Sequence, residues 1–85
     1  MFKLLYHRRV LKFLTKLPKK ERNQFLEKLT TLKQSPFSDN LDVKKLFSSK
    51  RCYRLRIGNI RIIFEVDLSN NILFIHDADF RGNIY

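Results

Sequence analysis

The sequence predicts an α+β domain in which an N-terminal strand and a two-helix hairpin precede a mostly antiparallel sheet. Three observations predict it. Between residues 8 and 34 the apolar side chains recur at helical spacing, and from residue 52 onward they alternate as in a half-buried strand. A cluster of turn-forming residues, Ser35-Pro36-Phe37-Ser38-Asp39-Asn40, separates the two regimes. The chain has 85 residues, enough for one domain over 1–85 built around one core. Helices first and strands last argue for segregated layers rather than a doubly wound sheet.

The elements follow in order. Phe2 to His7 alternates, with Phe2, Leu4 and Tyr6 on one side, and reads as a first strand. Arg8 to Leu17 places Val10, Phe13, Leu14 and Leu17 on one helical stripe. Pro18 ends that helix and suits the first turn of the next, because its fixed φ matches a helix start. Lys19 to Gln34 repeats the pattern with Phe25, Leu26, Leu29 and Leu32. Val43 to Phe47 is a short strand candidate, followed by a loop at Ser48-Ser49-Lys50. Cys52 to Ile57 and Ile60 to Val66 form a hairpin across Gly58-Asn59, with Gly58 supplying the positive φ of a type II′ turn. Ser69-Asn70-Asn71 marks another turn before a last strand from Ile72 to His76, after which the chain is expected to run out as a tail.

The hairpin register has a chemical consequence. Ile57 should face Ile60, Arg56 should face Arg61, Leu55 should face Ile62, and Arg54 should face Ile63. Tyr53, Leu55, Ile57, Ile60, Ile62, Phe64 and Val66 then share an apolar face, while Arg54, Arg56 and Arg61 gather on the other. Like charges directly opposite each other destabilise a ladder, so folding alone does not favour this pairing. A phosphate-bearing ligand does, because the arginine fork matches phosphate oxygens two at a time. The plainer alternative is an ordinary solvated face of a basic protein.

The whole chain is basic. Eighteen Lys and Arg against eight Asp and Glu give a formal net charge of +10, which favours polyanionic partners such as RNA, DNA, ribosomes or an acidic protein. No apolar run approaches the roughly 20 residues of a membrane span, and no membrane partner is expected. Cys52 is the single cysteine, so it cannot form a disulfide within the chain, and no neighbours in sequence complete a metal site around it. No metal and no cofactor are expected, and a reducing cytoplasm is the expected location.

Tyr53-Arg54-Leu55-Arg56-Ile57-Gly58-Asn59-Ile60-Arg61-Ile62-Ile63-Phe64, the Leu17-Pro18-Lys19-Lys20 junction, the Asp42-Val43-Lys44-Lys45-Leu46 strand and the ending Arg81-Gly82-Asn83-Ile84-Tyr85 resemble the RelE/ParE superfamily of toxins from toxin–antitoxin modules. The resemblance runs over most of the chain. It implies a small microbial-ribonuclease-like fold and, for the RelE type, cleavage of mRNA in the ribosomal A site without a metal. The ParE type shares the fold and inhibits DNA gyrase instead, which stands as the alternative, beside a non-nucleolytic binding module. The partners it implies are a cognate acidic antitoxin, the ribosome and mRNA, with DNA contacted only through the antitoxin complex.

Metal-free RNA cleavage uses the 2′-hydroxyl as nucleophile on the adjacent phosphate. It needs a base, an acid for the leaving 5′-oxygen, and cations around the pentavalent phosphorane. The resemblance assigns catalytic roles to Arg61 (phosphate charge), Arg81 (leaving group) and Tyr85 (base stacking or proton acceptance), and RNA binding to Arg54 and Arg56; Phe80, in the tail beside Arg81, is a further RNA-binding candidate read from its position. A phenol with an ordinary pKa of about 10 accepts a proton more readily when a dense cationic site lowers it. The chain departs from many relatives in carrying Asp79-Phe80 where they have Gly-His. Asp79 is expected to orient Arg81 or to cap a turn, and Phe80 either to stack on a base or to pack under the sheet edge. His76 is more simply read as structural, Cys52 as a small filler, Glu65 as the partner of a nearby cation, and Lys16, Lys19, Lys20 and Arg22 as a solvated helix junction.

Overall fold

The structure is a computed structural model that describes residues 1–46 and 50–81. Its elements are β1 (Lys3–Tyr6), α1 (Arg8–Lys16), α2 (Lys19–Gln34), β2 (Asp42–Lys45), β3 (Cys52–Ile57), β4 (Ile60–Asp67) and β5 (Ile72–Phe80). The strands form one sheet in the order β1-β5-β4-β3-β2. β1 runs parallel to β5 and every other pairing is antiparallel. Both helices pack their apolar stripes on one face of that sheet. The predicted α+β architecture is therefore the observed one.

Local chemistry explains the helix ends. His7 caps α1 by accepting the Arg9 amide at its Nδ1, 3.1 Å away. Leu17 and Pro18 are extended between the helices, and the Arg22 guanidinium donates to the Leu17 carbonyl at 3.0 Å, closing the junction. Val10, Leu17, Phe25, Leu29 and Leu32 bury against Leu55, Ile57, Ile60, Ile62, Phe64, Val66, Leu73, Ile75 and Ala78. Burying side chains of that size stabilises by roughly 1.5–3 kcal/mol each. Tyr6, on β1, rides the rim of this core, and its burial pushes the hydroxyl pKa up. Phe25 and Phe64 are fully buried, whereas Phe37 is exposed and meets Tyr53 edge-on at 5.1 Å.

The hairpin has the expected register: Ile57 opposite Ile60, Arg56 opposite Arg61, Leu55 opposite Ile62, Arg54 opposite Ile63. Gly58 has φ +54, while Asn59 has no positive φ, as a type II′ turn requires. β2 begins one residue before the expected Val43, at Asp42, and ends at Lys45; Phe47 lies outside the described residues.

The last strand differs from its expected extent. It continues past His76 to Phe80 because a β-bulge absorbs one residue. Ile63 pairs with Asp77 and Phe64 with Ile75, leaving His76 extra. The bulge shifts the alternation, so Ala78 takes the core side and Asp77 and Asp79 take positions on the open face. Beyond Tyr6 no strand among the described residues covers the outer edge of β5. There the Asp77 and Asp79 carboxylates accept the Ala78 and Phe80 amides at 2.9 and 2.7 Å, which satisfies the donors of an otherwise exposed edge.

Candidate functional site

The uncovered face of the sheet carries the charged side chains in rows across the strands. One row runs Asp42, Arg56, Arg61, Asp79 across β2, β3, β4 and β5. The next runs Lys44, Arg54, Ile63, Asp77. Two arginines thus stand side by side with a carboxylate position at each end of their row. The Asp42 carboxylate holds both β3 arginines, with Arg54 Nη2 at 3.1 Å and Arg56 Nε at 3.9 Å.

These arginines are packed rather than waving in solvent. The Arg54 side chain is only 12% exposed, against 55% for Asp42. The Nε atoms of Arg54 and Arg56 are shielded from solvent and lie within hydrogen-bond distance of no acceptor among the described residues. Buried donors are nearly always satisfied, which sets these two Nε atoms apart among the described residues. Arg61 is half-buried in the same row.

Arg81 follows β5, and its backbone amide donates to the Asn59 carbonyl. That bond ties the residue to the Gly58-Asn59 turn, at the Arg56–Arg61 end of the face. Tyr85 lies outside the described residues. Phe80 sits elsewhere than the arginines: paired with Ile60, it takes the helix side of the sheet, where its ring meets Phe13 edge-on at 5.2 Å. It remains 43% exposed at the β5 edge, beside a cleft of about 420 Å³ that Arg9, Lys12 and Lys16 of α1 also line. Asp79 caps the Phe80 amide, and no ion pair joins it to Arg81 among the described residues. Of the six candidate residues, the fold brings Arg54, Arg56 and Arg61 together, sets Arg81 at their end, and separates Phe80.

One cluster on the same face escaped the sequence. His76 Nε2 lies 2.8 Å from Glu65 Oε1, and the His76 ring packs against Phe74 with centroids 4.5 Å apart. Glu65 pairs across the ladder with Cys52. His76 follows Phe74 on the open face by alternation, and the bulge leaves it without a direct partner in β4.

Comparison with known proteins agrees with this architecture. Residues 4–77 match the family model described as the ParE toxin of the type II toxin–antitoxin system parDE. A relative from Methanocaldococcus jannaschii named "Putative toxin RelE1" is 35% identical over 85 residues, spanning 99% of this chain and 94% of the relative. A chain in the crystal structure of the archaeal RelE–RelB complex from Pyrococcus horikoshii superimposes with a TM-score of 0.85 at 31% identity, covering 95% of this chain and 96% of that one. One in the RelB–RelE complex from Methanococcus jannaschii gives 0.78 at 26% identity, covering 95% and 94%. Family match, identity over nearly the full length and shared topology coincide, and the chain belongs to the RelE/ParE superfamily of toxin–antitoxin toxins.

Proposed function

We propose that this protein is the toxin of a RelE–RelB-type pair and acts in the cytoplasm as a ribosome-dependent, metal-independent mRNA endonuclease. The observation that carries this reading is the packed arginine row, with Arg56 directly opposite Arg61 and Arg54 beside them on the uncovered face of the sheet. A phosphodiester offers such a row anionic oxygens at fork spacing.

In this mechanism the scissile phosphate lies over the row. Arg61 stabilises the charge that builds on the phosphorane, and Arg54 and Arg56 hold the flanking phosphates. Arg81, anchored at the Asn59 end, stabilises the leaving 5′-oxygen. Tyr85 accepts the 2′-hydroxyl proton or stacks on a base. Phe80, from the β5 edge, is left to contact a nucleotide that wraps round the sheet rather than one lying on it. A cognate acidic antitoxin inhibits by covering the same cations.

A cell-free translation reaction containing the protein and a chelator tests this. The expected product is mRNA truncated at A-site codons with 2′,3′-cyclic phosphate ends. Intact mRNA on loaded ribosomes overturns the nuclease reading. The family model is that of ParE toxins, which favours gyrase inhibition as the second reading. A supercoiling assay with purified gyrase separates the two.

A further inference from the structure

We infer that Cys52, Glu65 and His76 form a binding site for a zinc-class divalent ion on the open face, a site distinct from the arginine row. The three residues come from β3, β4 and β5, and their Sγ, carboxylate oxygen and ring nitrogen all lie within 4.8 Å of one another. Each is half-buried. Thiolate, carboxylate and imidazole together are a ligand set that suits zinc, which keeps a fourth position for water when three protein ligands hold it.

The geometry needs little adjustment. Zinc–ligand bonds of about 2.0–2.3 Å place tetrahedral donor atoms roughly 3.3–3.7 Å apart. The 2.8 Å His76–Glu65 hydrogen bond therefore opens slightly, and the Cys52 sulfur moves in by at most about 1.5 Å. The strands fix the Cα positions, so side-chain rotation supplies the change. Phe74 against the His76 ring restricts its orientation, as supporting contacts do for metal-bound histidines. Binding displaces the thiol proton of Cys52 to solvent, the proton shared between His76 Nε2 and Glu65 moves to the other ring nitrogen of His76, and the thiolate with the Glu65 carboxylate balances the two positive charges of the ion. The ion would cross-link three neighbouring strands two residues from Arg54 along β3. It has no part in cleavage, so this inference and the nuclease reading stand or fall separately.

Cobalt(II) titration of the reduced, chelator-stripped full chain is the test. The expected result is saturation at one equivalent, with a thiolate-to-cobalt charge-transfer band and the visible bands of tetrahedral cobalt. Zinc should displace the cobalt and raise the melting temperature. Cys52→Ser should abolish the charge-transfer band, and Cys52→Ser and His76→Gln should each weaken binding about 100-fold or more, beyond what loss of a supporting contact does. Glu65→Gln, nearly isosteric, should weaken it while far-ultraviolet circular dichroism shows the fold intact. His7→Gln should leave cobalt binding unchanged. Absence of saturable binding, a cobalt spectrum without the thiolate band, or affinity unaffected by Cys52→Ser and Glu65→Gln would each overturn the site.

Discussion

Arg56 and Arg61 stand directly opposite each other across the β3–β4 ladder, two residues from the turn that joins the strands. Opposed like charges destabilise a ladder by a few tenths of a kcal/mol or more, and the row holds them between carboxylate positions at Asp42 and Asp79. Under the proposed function, a phosphate placed over the row relieves this repulsion.

Replacing Arg61 by Ala should therefore separate activity from stability. Cleavage in the translation assay is expected to fall at least ~100-fold, the usual scale for one preorganised transition-state donor. The melting temperature should stay level or rise slightly, since the opposed charge at Arg56 is relieved. Full cleavage by the variant would reduce the arginines to binding groups.

Asp42→Ala should strengthen RNA binding. The carboxylate competes with phosphate for Arg54 and Arg56, and as an exposed partner it contributes only about 0–1 kcal/mol to folding. Fluorescence anisotropy with a single-stranded RNA should show higher affinity and a steeper dependence of log affinity on log salt, by about 0.7 for each phosphate gained. Equal affinity and slope would mean that Asp42 does not screen the site.

Gly58→Ala isolates the backbone requirement of the turn. Nothing lies within 4 Å of an added Cβ, so no clash arises, but φ is +54. An L-residue held there costs roughly 1–2 kcal/mol, and urea denaturation should report a loss of that size. An unchanged midpoint would show that the hairpin relaxes to another turn at no cost.

Asp67 provides a pH-dependent contribution. Its carboxylate accepts the Asn70 side-chain amide at 2.8 Å and the Asn70 backbone amide at 3.1 Å. Those bonds, the side-chain one first, hold its pKa below the ordinary 3.8. A lowered folded pKa means stability present above 3.8 and lost as pH falls through the folded value. Asp67→Ala should accordingly be less stable than the parent at neutral pH, and the gap should close in acid below that value. A gap constant with pH would exclude the ionised carboxylate as its source.

Association with the antitoxin should be fast and salt-sensitive. A +10 chain attracts an acidic segment over a Debye length of about 8 Å at physiological salt, which accelerates encounter more than it tightens the complex. Stopped-flow binding across a salt series should show the association rate falling steeply. A rate independent of salt would remove the acidic-partner idea whatever the affinity.

What the sequence determined by itself was the set of local decisions. Pro18 and the apolar spacing defined α1 and α2 within a residue of their observed ends. The hairpin register was legible because Gly58-Asn59 admits one tight turn and a one-residue slip would expose every apolar side chain. The arginine face came with that register. Tertiary structure decided what depended on neighbours. Asp77 and Asp79 look like strand breakers, yet β5 runs through them, because pairing with β4 and capping of their own edge amides outweigh propensity. The single bulge at His76 then reset the parity of everything after it. It put Ala78 in the core and sent Phe80 to the helix side. An inserted residue of that kind is specified by the packing of both sheet faces at once, which no alternation within one strand records.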